Sequence, residues 1–262
     1  MNIIVSGHNG DTGIVLLEAL KANGHSCATY KNDIQIKGIN RLVHTAAKHP
    51  IAIADEIISS NILYLQSIVE KFMLSNDSDF VFLSSVSVYG NTESSTLNEQ
   101  VSVCPTNLYE TSKIFGEQYL LNKGIRGVSL RLPGVLEVNK CNNFMGRLLK
   151  TLENDGLVEI SNADSLFNGY VDPFDIADFV SSSPKFSLMQ PVNFAVQAEL
   201  TLRDTVYLLR ELCNSKSVIN EVPAQGEMKI YSTKLLSEEF GFNVSRPADC
   251  LERWLKRRRK IN

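Results

Sequence analysis

The sequence predicts an α/β protein built on a doubly wound parallel sheet, and three observations predict it. Short β-branched runs alternate with longer amphipathic runs from residue 2 to residue 131, the order of a parallel sheet with helical crossovers. The first run, Asn2-Ile3-Ile4-Val5-Ser6, passes through Gly7-His8-Asn9-Gly10-Asp11-Thr12-Gly13 into Ile14-Val15-Leu16-Leu17-Glu18-Ala19-Leu20, which reads as strand, glycine turn and helix. Tyr109 and Lys113 stand four apart on a later helical run, downstream of the serines in Phe82-Leu83-Ser84-Ser85-Val86-Ser87-Val88-Tyr89-Gly90.

The glycine turn comes first. Gly7 permits a tight turn, Gly10 lets a pyrophosphate approach the backbone, and Gly13 lets helix pack on strand, with phosphate charge held at the helix amino end. Gly7, Asn9, Gly10, Asp11, Thr12 and Gly13 are therefore the candidate phosphate cradle of a Rossmann-like fold. The alternative is a tight turn that binds nothing, and Asp11 favours it by bringing a carboxylate to the anion site.

Further strands are expected at Ser26–Tyr30, Arg41–Thr45, Asp79–Ser84 and Gly127–Arg131, with helices at Asp11–Asn23, Ala54–Leu74 and Thr106–Asn122. Beyond residue 132 the pattern loosens into helices near Asn142–Asn154, Pro173–Val180, Thr201–Cys213, Ser232–Phe240 and Ala248–Arg258. Short strands fall near Val158–Ile160, Val192–Ala195 and Val218–Glu221. Residues 1–131 read as the dinucleotide-binding domain. Residues 132–262 read mostly as a small substrate subdomain, with some segments returning to the first core.

Tyr109 and Lys113 share one helix face at i, i+4 spacing. A tyrosine titrates near pH 10, so a base near pH 7 needs a fall of roughly 3 units, about 4 kcal/mol. A cation about 4 Å away at a mid-range dielectric supplies about that much. Tyr119 and Lys123 repeat the spacing ten residues later, so spacing alone decides nothing. That second pair reads as packing plus a solvated charge.

The 262 residues are 44% hydrophobic and 21% charged, ordinary for a chain that buries one core or one and a half. No apolar run reaches about 18 residues, and the start lacks a basic segment followed by a long apolar stretch, so no membrane span or signal peptide is expected. The formal charge of −3 gives no reason to expect nucleic acid. Cys27, Cys104, Cys141, Cys213 and Cys250 are odd in number and scattered, and His8, His25, His44 and His49 form no ligand pattern. These features suit reduced thiols, a cytoplasmic location, structural histidines and no metal site. The basic run Lys256-Arg257-Arg258-Arg259-Lys260 reads as cations complementing a helix carboxy end, with nucleic acid or membrane contact as the minor reading.

With these motifs in view, the chain resembles the extended short-chain dehydrogenase/reductases, specifically the NAD-dependent epimerase/dehydratase family acting on nucleotide sugars. Leu42-Val43-His44-Thr45-Ala46-Ala47 resembles the family's fourth strand, whose end lies under the cofactor, and Asn61 sits where the next helix carries its asparagine. Ser85 to Gly90 resembles the serine motif, Pro105 to Lys113 the tyrosine motif, and Arg131-Leu132-Pro133-Gly134-Val135 the strand end beside the nicotinamide. Asn168 to Ala177 resembles the segment that closes the substrate side.

The resemblance implies that Tyr109 is acid/base, Lys113 lowers its pKa and holds the nicotinamide ribose, and Ser85 hydrogen-bonds the reacting oxygen. Ser84 and Ser87 are rivals of Ser85. Thr45, Ala46, Ala47, Asn61, Pro133 and Val135 join the glycine turn as expected cofactor contacts. The implied activity is hydride transfer at a sugar carbonyl or carbinol by an NAD(P)-dependent enzyme. Dehydration is disfavoured, because Val86-Ser87 stand where dehydratases carry Asp-Glu. What remains is 4-epimerisation or reduction of a 4-keto sugar, with a lean to reduction. The reading from another class is a non-catalytic binder of NAD(P) or of a nucleotide sugar. The family often dimerises through its two long helices, which makes Phe72, Met73, Phe115 and Tyr119 candidate homodimer contacts, with core packing as the equal explanation.

One region departs from the family. Only Lys31 to Asn40 separate the second strand from the one at Arg41, and a parallel crossover usually needs a dozen or more residues. The third strand and its flanking helices are expected to be missing, or reduced to a fragment such as Ile34-Gln35-Ile36. An open adenine pocket and weak cofactor affinity follow. The residue after the second strand selects the cofactor, since an acid bonds the ribose 2′-hydroxyl and a cation accepts a 2′-phosphate. Lys31 stands there and favours NADP over NAD, with Asp33 as a rival able to serve a ribose.

Overall fold

The protein is described from a computed structural model, which places residues 1–31, 38–48, 50–73, 78–139 and 142–259. Asp33, the fragment Ile34-Gln35-Ile36, His49, Leu74, Cys141 and Lys260, singled out above, lie outside the described residues.

The first half alternates as expected: β1 (Asn2–Ser6), α1 (Asp11–Ala22), β2 (Ser26–Thr29), β3 (Arg41–His44), then a helical stretch of α2 (Ala54–Ile57), a π-helical segment (Ile58–Leu63) and α3 (Tyr64–Phe72). It continues through β4 (Asp79–Ser85), a 3-10 turn (Val86–Tyr89), β5 (Thr96–Leu97), α4 (Leu108–Asn122) and β6 (Gly127–Leu132). The second half holds β7 (Gly134–Val135), α5 (Phe144–Glu153), β8 (Val158–Ile160), β9 (Tyr170–Val171), α6 (Pro173–Ser182), β10 (Gln190–Asn193), α7 (Leu202–Leu212), β11 (Ile219–Glu221), β12 (Ile230–Tyr231), α8 (Lys234–Phe240) and α9 (Pro247–Arg258).

Six strands form one parallel sheet in the order β10-β6-β4-β3-β1-β2. The order reverses beside β1, and the carboxyl ends of β1, β3, β4 and β6 open a crevice there. Among the described residues no strand pairs beyond β2, and residues 32–37, where the loss of the third strand was expected, lie outside them. β10 lies in the sheet beside β6 although it comes late in the chain.

One face of the sheet buries Val5, Leu16, Val43, Val81 and Val128 with Ile176, Phe179 and Trp254, joining α1 and α6 to α9 in one cluster. The opposite face buries Ile4, Leu42, Phe80 and Phe82 against Leu65, Ile68, Phe72 and Leu120 of α3 and α4. Phe72 meets Phe80 edge-on at 5.2 Å, so it is core and not a dimer contact. Phe115 and Tyr119 stack at 5.5 Å and are half-buried, while Met73 is exposed. No helix among the described residues is long and apolar enough to cross a membrane.

The basic carboxy-terminal run is largely engaged within the chain. Arg257 pairs with Asp172, Arg258 with Glu153 and the Val138 carbonyl, Arg259 with the Leu212 carbonyl, and Lys256 with Glu252. These contacts dock α9, with Trp254 donating from its indole to the Glu137 carbonyl at 2.8 Å.

Candidate functional site

A cleft of about 670 Å³ opens at the carboxyl ends of the central strands. The glycine turn forms one part of its wall. Gly7 has φ +79°, and a Cβ there would lie 2.4 Å from the Ala46 nitrogen; one at Gly13 would lie 2.3 Å from the Gly7 carbonyl oxygen. These two positions are glycine because backbone packs on backbone. Gly10 differs, since a Cβ there would meet only the Gly7 oxygen at 3.4 Å, an ordinary contact. Its openness faces the cleft. α1 begins at Gly10 with no side-chain cap, which leaves first-turn amides available to an anion.

Two carboxylates share this end. Asp11 accepts from Asn139 Nδ2 at 3.2 Å, and Glu137 accepts from Thr12 Oγ1 at 2.9 Å. Both tie the turn to the segment after β7, which α9 braces from outside.

The other part of the wall holds the serine, tyrosine and lysine. β4 delivers Ser84 and Ser85 at its carboxyl end, and the chain turns into 3-10 helix at Val86, where the Ser85 hydroxyl accepts from the Ser87 amide at 3.2 Å. Asn107 caps α4 by accepting from the Glu110 amide at 3.0 Å, which fixes the helix start and sets Tyr109 and Lys113 one turn apart facing β4. Ser85 and the half-buried Tyr109 line the same cleft, and the Ser85 and Ser87 hydroxyls lie 2.9 Å apart.

The expected acidification of the phenol is not what the chain's own groups produce. Burial raises the Tyr109 pKa and is its largest influence; the Ser85 hydroxyl lowers it and Glu110 raises it. The Lys113 ammonium donates instead to the Leu83 carbonyl at 2.7 Å, with Nζ 5.1 Å from the Phe82 ring centroid and 5.8 Å from that of Tyr109. Burial brings the Lys113 pKa down to about 8, while Glu117 works in the opposite direction. Tyr109 is thus held protonated and Lys113 is a buried ammonium aimed at the strand end.

Below them lies a buried polar floor. Glu117 accepts from Ser84 Oγ at 2.6 Å and from Arg131 Nε and Nη2 at 3.0 and 2.7 Å. The Arg131 guanidinium lies 4.9 Å from the Tyr89 ring centroid, and the Tyr89 hydroxyl donates to Asn193 Oδ1 at 2.7 Å. Ser84 therefore has a partner below the cleft, while Ser85 and its rival Ser87 both line it. His44 is fully buried against Phe82 and bonded to Ser6 Oγ at 2.7 Å, and burial pushes its pKa down to about 3. It is neutral packing, as the lack of a ligand pattern suggested.

Of the residues expected from sequence, Gly7, Gly10, Asp11, Thr12, Gly13, Thr45, Ala47, Ser85, Tyr109, Lys113, Pro133 and Val135 line the cleft. Four do not line it. Asn9 is exposed on the turn and Lys31 is exposed beyond β2, while Ala46 packs its backbone against Gly7. Asn61 is buried in the π-helical segment; its Oδ1 accepts from the Lys48 amide at 2.7 Å and its Nδ2 donates to Ser112 Oγ at 3.0 Å. It braces the segment after β3 against α4.

Lys48, Glu137, Asn143 and Tyr231 line the cleft and were not foreseen. Asn143 caps α5 through the Gly146 amide, a signal legible in the Asn-Asn pair before the helix. Tyr231 arrives by pairing of β12 with β5, more than 130 residues earlier, which no local pattern announces.

The sheet order and this cleft define a Rossmann-type α/β protein whose crevice has the glycine turn at one end. Residues 34–156 match the NAD dependent epimerase/dehydratase family. No curated protein sequence matches. Among solved structures, UDP-N-acetylglucosamine 4-epimerase from Bacillus cereus is similar with a TM-score of 0.81 at 17% identity, covering 99% of each chain. UDP-glucuronic acid 4-epimerase from Bacillus cereus, in complex with UDP-glucuronic acid and NAD, has a TM-score of 0.78 at 18% identity over 100% of each chain. RMD from Pseudomonas aeruginosa, complexed with NADPH, has a TM-score of 0.77 at 16% identity, covering 97% of this chain and 98% of its own. At such identities the likeness shows the shared fold.

Proposed function

We propose that the cleft holds a nicotinamide dinucleotide and a nucleotide-linked sugar, and that the protein moves hydride at a sugar carbonyl or carbinol with Tyr109 as acid/base. One observation carries this reading: a single cleft is lined both by the glycine turn and by Ser85, Tyr109 and Lys113. The residues present fit the cofactor, because Gly10 leaves open space where a phosphate must approach and the uncapped α1 amides face it.

The cofactor, when bound, accepts or donates the hydride. The chain supplies the rest. Gly10 and the first turn of α1 hold the diphosphate; Thr45, Ala47, Pro133 and Val135 wall the dinucleotide; Lys113 carries the cation that meets its ribose. The Ser85 hydroxyl orients the reacting sugar oxygen, and Tyr109 passes or takes its proton. Burial keeps Tyr109 protonated, and a protonated phenol is the donor that reduction of a ketone requires, which favours 4-keto reduction over 4-epimerisation. Relatives in complex with NAD, NADPH and a UDP-sugar support the cofactor and substrate classes. Lys31, directly beyond the second strand, favours NADP. Only Lys31 to Asn40 link the second strand to the next, too few for a third strand with its helices, and this short link supports weak cofactor affinity and an exchanging cofactor.

Incubation with UDP-, GDP- and dTDP-sugars and their 4-keto forms, following nicotinamide absorbance and product mass, tests this reading. Consumption of reduced cofactor with a 4-keto sugar supports reduction, and a new epimer without net consumption supports epimerisation. No change with any sugar sinks both.

A further inference from the structure

The buried floor under the cleft contains more charge than the serine, tyrosine and lysine account for. Lys113, Glu117 and Arg131 are each only 4% exposed. Buried charges are costly unless paired and hydrogen-bonded. Glu117 is one helical turn beyond Lys113 on α4, on the same face. Its two oxygens are held by three donors: Ser84 Oγ from β4, and Nε and Nη2 of Arg131 from β6. The carboxylate therefore ties α4 to the residue directly before Ser85 and to the strand that ends at Leu132, directly before Pro133.

We propose that Glu117 is a positioning residue for Lys113: clamped by Ser84 and Arg131, its carboxylate supplies the buried counter-charge that keeps the ammonium charged and aimed at the end of β4. The proposal rests on the placement of Lys113 in the cleft, not on turnover. Lys113 is faced by Tyr109 and Glu117 from its own helix, by His44 from β3, and by the Leu83 carbonyl and Ser84 from β4; Arg131 from β6, with Tyr89 and Glu99 around it, completes the surroundings. His44 is neutral, and burial raises the Tyr109 and Tyr89 pKa values, so those groups bring no negative charge near pH 7. Glu117 is the carboxylate that acts on Lys113, and it works against the burial that brings the lysine pKa down to about 8. Charges one turn apart in a dry floor interact far more strongly than on a wet surface.

The test follows the Lys113 side chain itself by NMR of protein carrying 13C-lysine, with its signal assigned by Lys113→Arg. In Glu117→Gln the Lys113 titration midpoint is expected to fall by about 1–2 pH units from the wild-type value. Glu117→Asp keeps the charge and restores most of the midpoint. Ser84→Ala removes one clamp and leaves the charge, so the midpoint moves by no more than about a few tenths of a unit. Should Glu117→Gln fail to fold because Arg131 is orphaned, Glu117→Gln with Arg131→Gln is compared with Arg131→Gln alone, and the midpoint should be lower in the double variant because the two differ only in the Glu117 charge. A folded Glu117→Gln in which Lys113 titrates as in the wild type, or a double variant that titrates as Arg131→Gln alone, overturns the proposal. If the midpoint falls as expected while wild type binds neither NADH nor NADPH, the positioning role stands and the proposed function fails.

Discussion

The two ends of the parallel sheet both bury an arginine beside a carboxylate, and they differ in what surrounds the pair. At the amino end, Arg41 opens β3 and Asp79 opens β4; their side chains meet at 3.2 Å, and the guanidinium also donates to the carbonyls of Val180 and Pro184 and covers the Phe186 ring. That end is closed by α6 and the segment after it. At the carboxyl end, Arg131 and Glu117 meet at 2.7 Å with Ser84 as a third member, and the cleft with Lys113 and Tyr109 lies directly above. The same chemistry is a clamp where it is covered and a platform where it faces open space.

Five substitutions or conditions sharpen this contrast. The largest effect is expected for Tyr109→Phe, which should reduce turnover by about 10²–10⁴-fold while nicotinamide binding and thermal midpoint stay near wild type, as steady-state kinetics and calorimetry will show. At the other end, Arg41→Met leaves Asp79 buried without its closest partner and should cost about 3–5 kcal/mol in denaturant unfolding, with no change in the pH profile of any activity.

The glycine turn divides in the same way. Gly7→Ala meets positive φ and the Ala46 backbone and should lose about 1–3 kcal/mol of stability. Gly10→Ala should unfold at nearly the wild-type midpoint yet lose dinucleotide affinity, as urea titration and fluorescence titration will separate.

The smallest effect is in the pH dependence. Lys113 has its pKa lowered from the ordinary lysine value to about 8 in the folded chain. Between those two values the unfolded chain binds the extra proton, so unfolding free energy rises with pH across that window and is lowest below about pH 8. Activity that needs the ammonium falls over the same range. Lys113→Met should flatten the rise in stability, read from denaturant midpoints on either side of the window.

Much of this was legible in the sequence because it is local. The glycine turn, the i, i+4 pair and the short alternating runs encode their own geometry, and their elements appear within about two residues of where periodicity places them. What escaped depends on distant partners. Asn61 reads as a cofactor contact by position, and only the fold reveals that Lys48 and Ser112 occupy its amide. The cationic run from Lys256 reads as solvated until Asp172 and Glu153 are seen beside it. The Tyr109 pKa moves up and not down because burial, a property of the assembled layers, outweighs a cation whose ammonium is turned toward Leu83.

The central claim is that the open carboxyl end of the sheet is a dinucleotide site, and calorimetric titration of the wild-type chain with NADPH and with NADH tests it most directly. Saturable binding of one dinucleotide per chain, with a Kd on the order of micromolar and loss of that binding in Gly10→Ala, is the expected result. Absence of binding by both nucleotides at concentrations on the order of millimolar contradicts the claim.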